Sequence, residues 1–338
     1  MIRRPPRSTQ SRSSAASDVY KRQGDTRKLS VIIPTRNRRD DLIACLKTLA
    51  CQSRLPDNVI IVDASTDLCG DEEQVYTTAV QPIPLRYVPA RRAGSTSQRN
   101  QGLTLLNHDI THVLFLDDDV MLADWYCEAL LTMFDEKPDA AGIGGWITNP
   151  QSPPFGRVFF WFLRMFLIYG GTPGKVLPSG FNTPMFVVQP KSPFQTECLE
   201  GGNMCISLEH ARDLRFDERY ERFAGYAYAE DMDFTYELRK HGTLWVTPLA
   251  QMEHKVSPAS RSRELRFGIC QVFNRAFFVR KHFGLSAYHR LCFLWSMVGI
   301  VLLNIAMIGR GRSVERLIGN LIGLLITPIE LQRLFRSE

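Results

Sequence analysis

The chain has 338 residues, 44% hydrophobic and 22% charged, enough apolar content to bury a core in one large or two medium domains. The formal charge of +6 is concentrated in residues 1–23, which hold six Lys/Arg and one acid, whereas residues 24–338 carry 35 basic and 34 acidic groups. A body so close to neutral lacks the basic footprint of a nucleic-acid binder, so no nucleic-acid partner is expected.

The leader is rich in Arg and Ser and has no apolar stretch of the kind a secretory signal needs. It resembles translated sequencing-adapter read-through, so residues 1–27 are expected to be a disordered, artefactual leader outside the fold. Next come "KLSVIIPT" (28–35), a β-branched apolar run that predicts a buried strand, and "RDDLIACLKTLACQS" (39–53), whose Leu42, Cys45, Leu46 and Leu49 have helical spacing. Two more strands are expected at 58–66 and 85–90, then a helix over 95–107 with a Ser/Thr cap. A fourth strand, 112–119, leads into a helix over 123–136. Strands that are apolar throughout and alternate with helices predict an α/β fold, with a mostly parallel sheet sandwiched by helices. Ligands of such sheets sit beyond the carboxyl ends of the strands.

From about Gly142 the pattern changes. A Pro-rich break (150–156) precedes "RVFFWFLRMFLIYGG" (157–171), apolar except for Arg157 and Arg164. "ECLEGGNMCISLEHARDL" (197–214) reads as strand, glycine turn, strand and short helix; "GYAYAEDMDFTYELRKHG" (225–242) reads as a helix stopped by Gly242; and 244–257 reads as strand and loop. The tail is an apolar run at 291–309, a basic "GRGRSVER" (309–316) and a second apolar run at 317–329. The first run is about long enough to span a bilayer and the second is too short. Three dispositions stay open: a span or re-entrant segment, peripheral docking, and a buried helical pair. Arg310, Arg312 and Arg316 favour the cytoplasmic leaflet. Eight cysteines, none in a C-x-x-C pair or at zinc spacing, suit core packing in a reducing compartment.

The chemistry gathers where strands end. In "FLDDDV", Asp117 and Asp119 of an extended chain point one way and Asp118 the other. Two carboxylates on one side make half of a site for magnesium or manganese, and such an ion would relieve their repulsion. The alternative is a solvated acidic loop whose Asp119 or Asp124 caps the next helix. Asp63 in "VDAST" can accept hydrogen bonds from a nucleoside or form an Asx-turn. Arg99 in "QRNQG" can pair with a diphosphate, with an acid of the D-x-D, or with solvent. Glu230, Asp231 and Asp233 in "AEDMDF" are either dipole-favoured acids at a helix start or the source of a general base. "GGNM" (201–204) permits close backbone approach, and His254 in "EHKVS" is a candidate third metal ligand.

The order "SVIIPTRN", "VDASTD", "QRNQG", "FLDDDV", "EGGNM", "AEDMDF", "EHKVS", over roughly residues 28–258, resembles the family 2 glycosyltransferases, which have the GT-A fold. Two positions depart from the family's habit: Gln98 replaces a small residue and Arg36 an aromatic one. The resemblance implies a catalytic domain at 28–258, with a nucleotide-binding half (28–145) and an acceptor half (146–258), followed by a helical, membrane-associating region at 259–338. It implies an inverting transfer of sugar from a nucleoside-diphosphate sugar to a hydroxyl, the acceptor being a lipid-linked glycan or polysaccharide of the cell envelope. Pro34, Thr35, Arg36 and Asp63 would line the nucleoside, Arg99 and Asp118 the donor, and Asp117 the ribose. Asp119, with Asp117 and His254, would hold a divalent metal, Mn or Mg. Gly201, Gly202 and Asn203 would approach the donor sugar or acceptor, and Asp231 would be the base with Glu230 in support. The expected location is the cytoplasmic face of the cell membrane, peripheral or integral through 291–327. Two rivals stand beside it: a haloacid-dehalogenase-type phosphotransferase using Asp117 and Asp119, and a non-catalytic nucleotide- or glycan-binding scaffold.

Overall fold

The structure, a computed structural model, describes residues 27–149, 156–185, 190–223, 227–255, 264–308 and 314–336. The expectations for the leader and for Arg310 and Arg312 fall outside those residues. Among the described residues one sheet runs through the molecule in the strand order β3-β2-β1-β4-β8-β6-β9-β5, with β7 paired to β9. Its parallel half is β1 (Leu29–Thr35), β2 (Asn58–Asp63), β3 (Leu85–Pro89) and β4 (His112–Leu116). The other half is mixed: β5 (Val120–Leu122), β6 (Ala140–Ile147), β7 (Phe194–Thr196), β8 (Asn203–Ser207) and β9 (Thr243–His254). There β8 runs antiparallel to both β4 and β6, and β6 runs parallel to β9.

Helices cover both faces, as expected for strands apolar on both sides. Along β1, Val31 and Ile33 enter one core with Leu42, Cys45, Leu46 and Leu49 of α1 (Arg39–Ala50), while Ile32 enters the other. The first layer also contains α2 (Glu72–Val80) and α4 (Tyr126–Glu136). The second contains α3 (Ser95–Leu103), α6 (Leu208–Ala211) and α7 (Glu230–Leu238). An amphipathic α5 (Arg157–Met165) buries none of its residues. The Ser/Thr cap expected for α3 is not formed: Gly94 precedes the helix, and the first free amides, Thr96 N and Ser97 N, donate instead to Glu221 Oε1 at 2.6 and 3.1 Å. Gly94 is required there, because its φ is +150° and a Cβ would collide with that carboxylate.

The tail forms α8 (Glu264–Phe283), α9 (Ala287–Ile308) and α10 (Val314–Leu334). Helix α10 packs on α8 through glycines: a Cβ on Gly268 would lie 2.8 Å from Asn320 N and 2.9 Å from the Gly319 carbonyl carbon. Asn320 ties the crossing by donating to Gly268 O at 3.0 Å and to Gln271 Oε1 at 3.1 Å, while accepting from Asn304 Nδ2 at 2.6 Å. Arg316, expected near lipid headgroups, is instead ion-paired with Glu264 and lies over the Phe267 ring. Helix α9 buries Phe293, Met297 and Ile300 and exposes Leu291, Leu294, Trp295, Val298, Leu302 and Ile305. Gly268→Leu should lower the melting temperature by several degrees, since overpacking costs about 1–3 kcal/mol. Thermal denaturation followed by circular dichroism checks this, and an unchanged melt would mean that the α8–α10 crossing is not the close contact described.

Candidate active site

The topology gathers residues that are distant in sequence. Strands β1, β2 and β4 run parallel, so Thr35, Asp63 and Asp117 emerge at one edge of the sheet. Because β8 is antiparallel to β4 and pairs Leu116 with Asn203, the turn before β8 lies beside Asp117. Because β5 is antiparallel to β9 and pairs Val120 with His254, that histidine lies beside Asp119.

Each aspartate of the D-D-D turn meets a different set of partners, with Arg38 shared by two of them. Asp117 accepts from Arg99 at 3.0 Å, and Arg99, 3% exposed, also reaches Glu230 at 3.2 Å. Asp118 is buried and accepts from Thr35 Oγ1 and from Arg38, both at 2.7 Å. Burial pushes its carboxyl up to about 6, against the pull of Arg38 and the Thr35 hydrogen bond. Asp119 is 3.3 Å from Arg38 and 3.0 Å from His254 Nε2, and its hydrogen bond raises the histidine above its ordinary value. Arg38 was not singled out from the sequence, although three adjacent acids call for counter-ions. Neither Asp119 nor Asp124 caps α4, which starts after Trp125 without a side-chain cap.

Asp117, Asp119 and His254 offer ligand atoms that all lie within 4.8 Å of one another. A divalent ion held at about 2.1 Å needs ligands roughly 3–4 Å apart, so these three residues are close enough to be candidate ligands of one ion. Two carboxylates and one imidazole suit manganese better than magnesium, which prefers oxygen alone.

The other wall is built by α7. Ala229, in the left-handed region at φ +67°, turns the chain into Glu230 and Asp231, a strained conformation of the kind found at functional sites. Asp231 Oδ2 accepts from Gly201 N at 3.0 Å and Oδ1 from Met232 N at 2.7 Å, which fixes the carboxylate beside a cavity of about 310 Å³. Arg99, Asp117, Glu200, Gly201, Gly202, Asn203, Glu230, Asp231 and His254 line that cavity. The glycines are needed by the chain's own side chains: a Cβ on Gly201 would lie 2.8 Å from Arg99, and one on Gly202 would collide with Asp117. Asn203 reaches the cavity wall, and its amide is held between Tyr126, Gly145 N at 3.0 Å and Gly145 O at 2.9 Å, so its side chain clamps β8 to β6. Burial, then repulsion by Asp231, pushes Glu230 up to about 7 and Glu200 up to about 8. Glu200, adjacent to the glycine pair, was missed by the sequence reading.

At the ends of β1 and β2 Asp63 lines a second cavity of about 340 Å³ with Asn37, Arg38, Ser65 and Tyr76. One of its oxygens accepts from Ser65 N at 2.7 Å, the local turn foreseen as the alternative, and the other accepts from Tyr87 OH at 3.1 Å. Pro34 is buried within β1, Thr35 gives its hydroxyl to Asp118, and Arg36 is exposed. Gln98 donates to Thr35 O at 2.9 Å and Val62 O at 2.7 Å, lacing together the ends of β1 and β2.

Glu200 titrates at about 4.5 when exposed and about 8 when folded, so between those values the unfolded chain ionises first and stability falls as pH rises. In metal-free buffer Glu200→Gln should therefore raise the melting temperature by a few degrees at pH 8 and leave it unchanged near pH 4.5. An equal shift at both pH values in a thermal melt would refute the assignment.

Residues 30–191 match the family model for glycosyl transferase family 2. Galactofuranosyltransferase GlfT1 of Mycobacterium tuberculosis is 30% identical over 171 residues, covering 48% of this chain and 56% of the relative. The chain thus spans little more than half the length of that curated relative. Two crystal structures share the fold: the mannosyltransferase PcManGT of Pyrobaculum calidifontis in complex with GDP-Man and Mn2+ (TM-score 0.54, 14% identity, 89% of this chain and 86% of that one) and S. aureus TarS 1-349 in complex with UDP-GlcNAc (TM-score 0.52, 15% identity, 88% and 79%). The matched segment carries β1–β6 of a GT-A-type sheet, so the chain contains a glycosyl transferase family 2 domain over residues 30–191.

Proposed function

We propose that the protein transfers a sugar from a nucleoside-diphosphate sugar to an acceptor hydroxyl with inversion, Asp231 acting as the general base. The observation that carries this reading is one cavity lined by Asp117, His254 and a separately held carboxylate, Asp231, with the buried Asp119 grouped beside Asp117 and His254 as a candidate metal triad. Asp231 takes the proton of the attacking hydroxyl, the acceptor oxygen forms a bond to the anomeric carbon, and the bond from that carbon to the diphosphate oxygen breaks from the opposite face. Glu230, paired with Arg99, supports the start of α7, and Arg99 keeps Asp117 in place until donor binds. A divalent ion on the triad would offset the charge of the leaving diphosphate; relatives of the same fold were solved with Mn2+ and with nucleotide-sugars. The phosphotransferase alternative fits less well, because the nucleophile it requires, Asp117, is ion-paired with Arg99. A binding scaffold would need no carboxylate held like Asp231. The 28–258 catalytic unit, with its nucleotide and acceptor halves, belongs to the same proposal.

The exposed apolar stripe of α9, spaced i, i+3, i+4, i+7, i+11, i+14, lies next to α5, whose Val158 and Trp161 are also exposed. Trp295 joins the two by stacking on Phe166 and donating to Met165 O at 2.8 Å. We infer that this face docks peripherally on the cytoplasmic membrane surface, presenting the cavity to a lipid-linked envelope glycan.

Asp231→Asn should abolish transfer and leave nucleotide binding within about twofold, whereas Asp119→Ala should weaken binding only when manganese is present. Calorimetry with UDP and GDP, with and without manganese, and a transfer assay check both; turnover by Asp231→Asn would refute the base. The triple change Leu291→Ser, Leu294→Ser, Val298→Ser should reduce flotation with anionic vesicles about tenfold or more, by removing apolar contact worth roughly 1.5–3 kcal/mol per side chain. Undiminished flotation of a normally folded triple variant would remove α9 from the membrane reading.

A further inference from the structure

Arg275 comes from α8, outside the family-matched segment, yet it lines the same cavity as Asp231. It is 5% exposed. Its Nη1 donates to Gly180 O at 2.7 Å and meets Met232 Sδ at 2.9 Å; its Nη2 donates to Asn182 Oδ1 at 3.3 Å and Tyr228 OH at 3.2 Å. Its guanidinium lies 4.9 Å from the ring centres of Phe181 and Tyr228. Every one of these partners is neutral, and no carboxylate among the described residues is within ion-pair distance. Nε is buried with no partner at all.

A buried cation with no counter-ion is costly, and ring faces offset only part of that cost. Tethering the Gly180–Asn182 segment requires hydrogen-bond donors but no charge. Among the described residues the buried Nε–H of Arg275 is a donor with no acceptor, and Tyr228 OH, whose oxygen accepts from Nη2, has its own proton to donate. Such a wall selects an oxyanion. The same cavity is lined by Asp117, Glu200, Glu230 and Asp231, which repel an anion, so within it Arg275 is the group that favours one.

We propose that Arg275 and Tyr228 form an oxyanion subsite that takes a phosphate ester or a carboxylate carried by the acceptor. This rests on the reading that the acceptor occupies this cavity. Bound there, the anion fixes which end of the acceptor faces Asp231.

The test is calorimetry on the full chain in EDTA, which excludes binding through a metal, using glucose, glucose 1-phosphate and glucuronate as probes. Wild-type protein should bind at least one anion roughly tenfold more tightly than glucose, and whichever anion is preferred distinguishes phosphate from carboxylate. Arg275→Gln should abolish the preference and Tyr228→Phe, which keeps the ring, should reduce it about threefold. If Arg275→Gln melts below the wild type, Tyr228→Phe decides. Equal binding of all three probes, no binding of either anion, or a preference that survives in the folded variants overturns the subsite. A parallel titration with UDP and manganese separates the two readings: loss of nucleotide binding sinks the transferase proposal, whereas absent anion preference with nucleotide binding intact sinks only the subsite.

Discussion

Three adjacent carboxylates at the end of a buried strand repel one another, and the working edge of the sheet is organised around holding them. Arg99 takes Asp117, Arg38 takes Asp118, and His254 with Arg38 takes Asp119. A metal was the expected source of relief, but the protein's own cations already provide it. The division also separates the acids by role. Asp118 is drawn to Thr35, while Asp117 and Asp119 stay grouped with His254. Any ion that enters must compete with a proton on His254 and with the hold of Arg99 on Asp117, so metal affinity and pH are linked at this site.

Antiparallel strands make that division possible. A purely parallel sheet would send the turn before β8 and the end of β9 to opposite edges. Reversing β8 returns Glu200–Gly202 to the end of β4, and β9, parallel to β6, delivers His254 to the same place. The two glycines then matter because Arg99 and Asp117 occupy the space a Cβ would need. Asp231 is held from the other side by the Gly201 amide, so the acid-bearing turn, the glycine turn and the start of α7 form one hydrogen-bonded unit.

The C-terminal helices are joined to this unit. Asp233, two residues beyond Asp231, accepts from Tyr220 OH at 3.1 Å, Lys281 Nζ at 2.7 Å and His282 Nε2 at 2.7 Å, fastening α7 to α8. Phe181, beneath Arg275, packs in one cluster with Val272 and Ala276 of α8 and with Phe293, Met297 and Ile300 of α9. Through this cluster α9, whose outer face is exposed, is joined to the residues beneath Arg275.

The elements of the first half were legible because apolar strands and amphipathic helices differ in period, and the parallel sheet follows from their alternation. The pairing of Asp117 with Asp119 was legible because an extended chain has a period of two. The short helix α2, the strand β6 and the partners of the acids were not, because counter-ions such as Arg38 and capping groups such as Glu221 have no local pattern; only the folded chain brings Glu221 to the start of α3, 125 residues earlier. The engagements of Asn203 and Thr35 were hidden for the same reason: each side chain is bonded to a neighbour that sequence distance conceals. By itself the sequence determined that apolar strands alternate with helices in the first half and that Thr35, Asp63 and Asp117 fall near strand ends, since hydrophobic periodicity and turn chemistry are local. Which carboxylates share a cavity, which are neutralised and which cation is left without a counter-ion were decided by the tertiary structure, because charge balance in a buried site depends on distances through space that no spacing along the chain encodes.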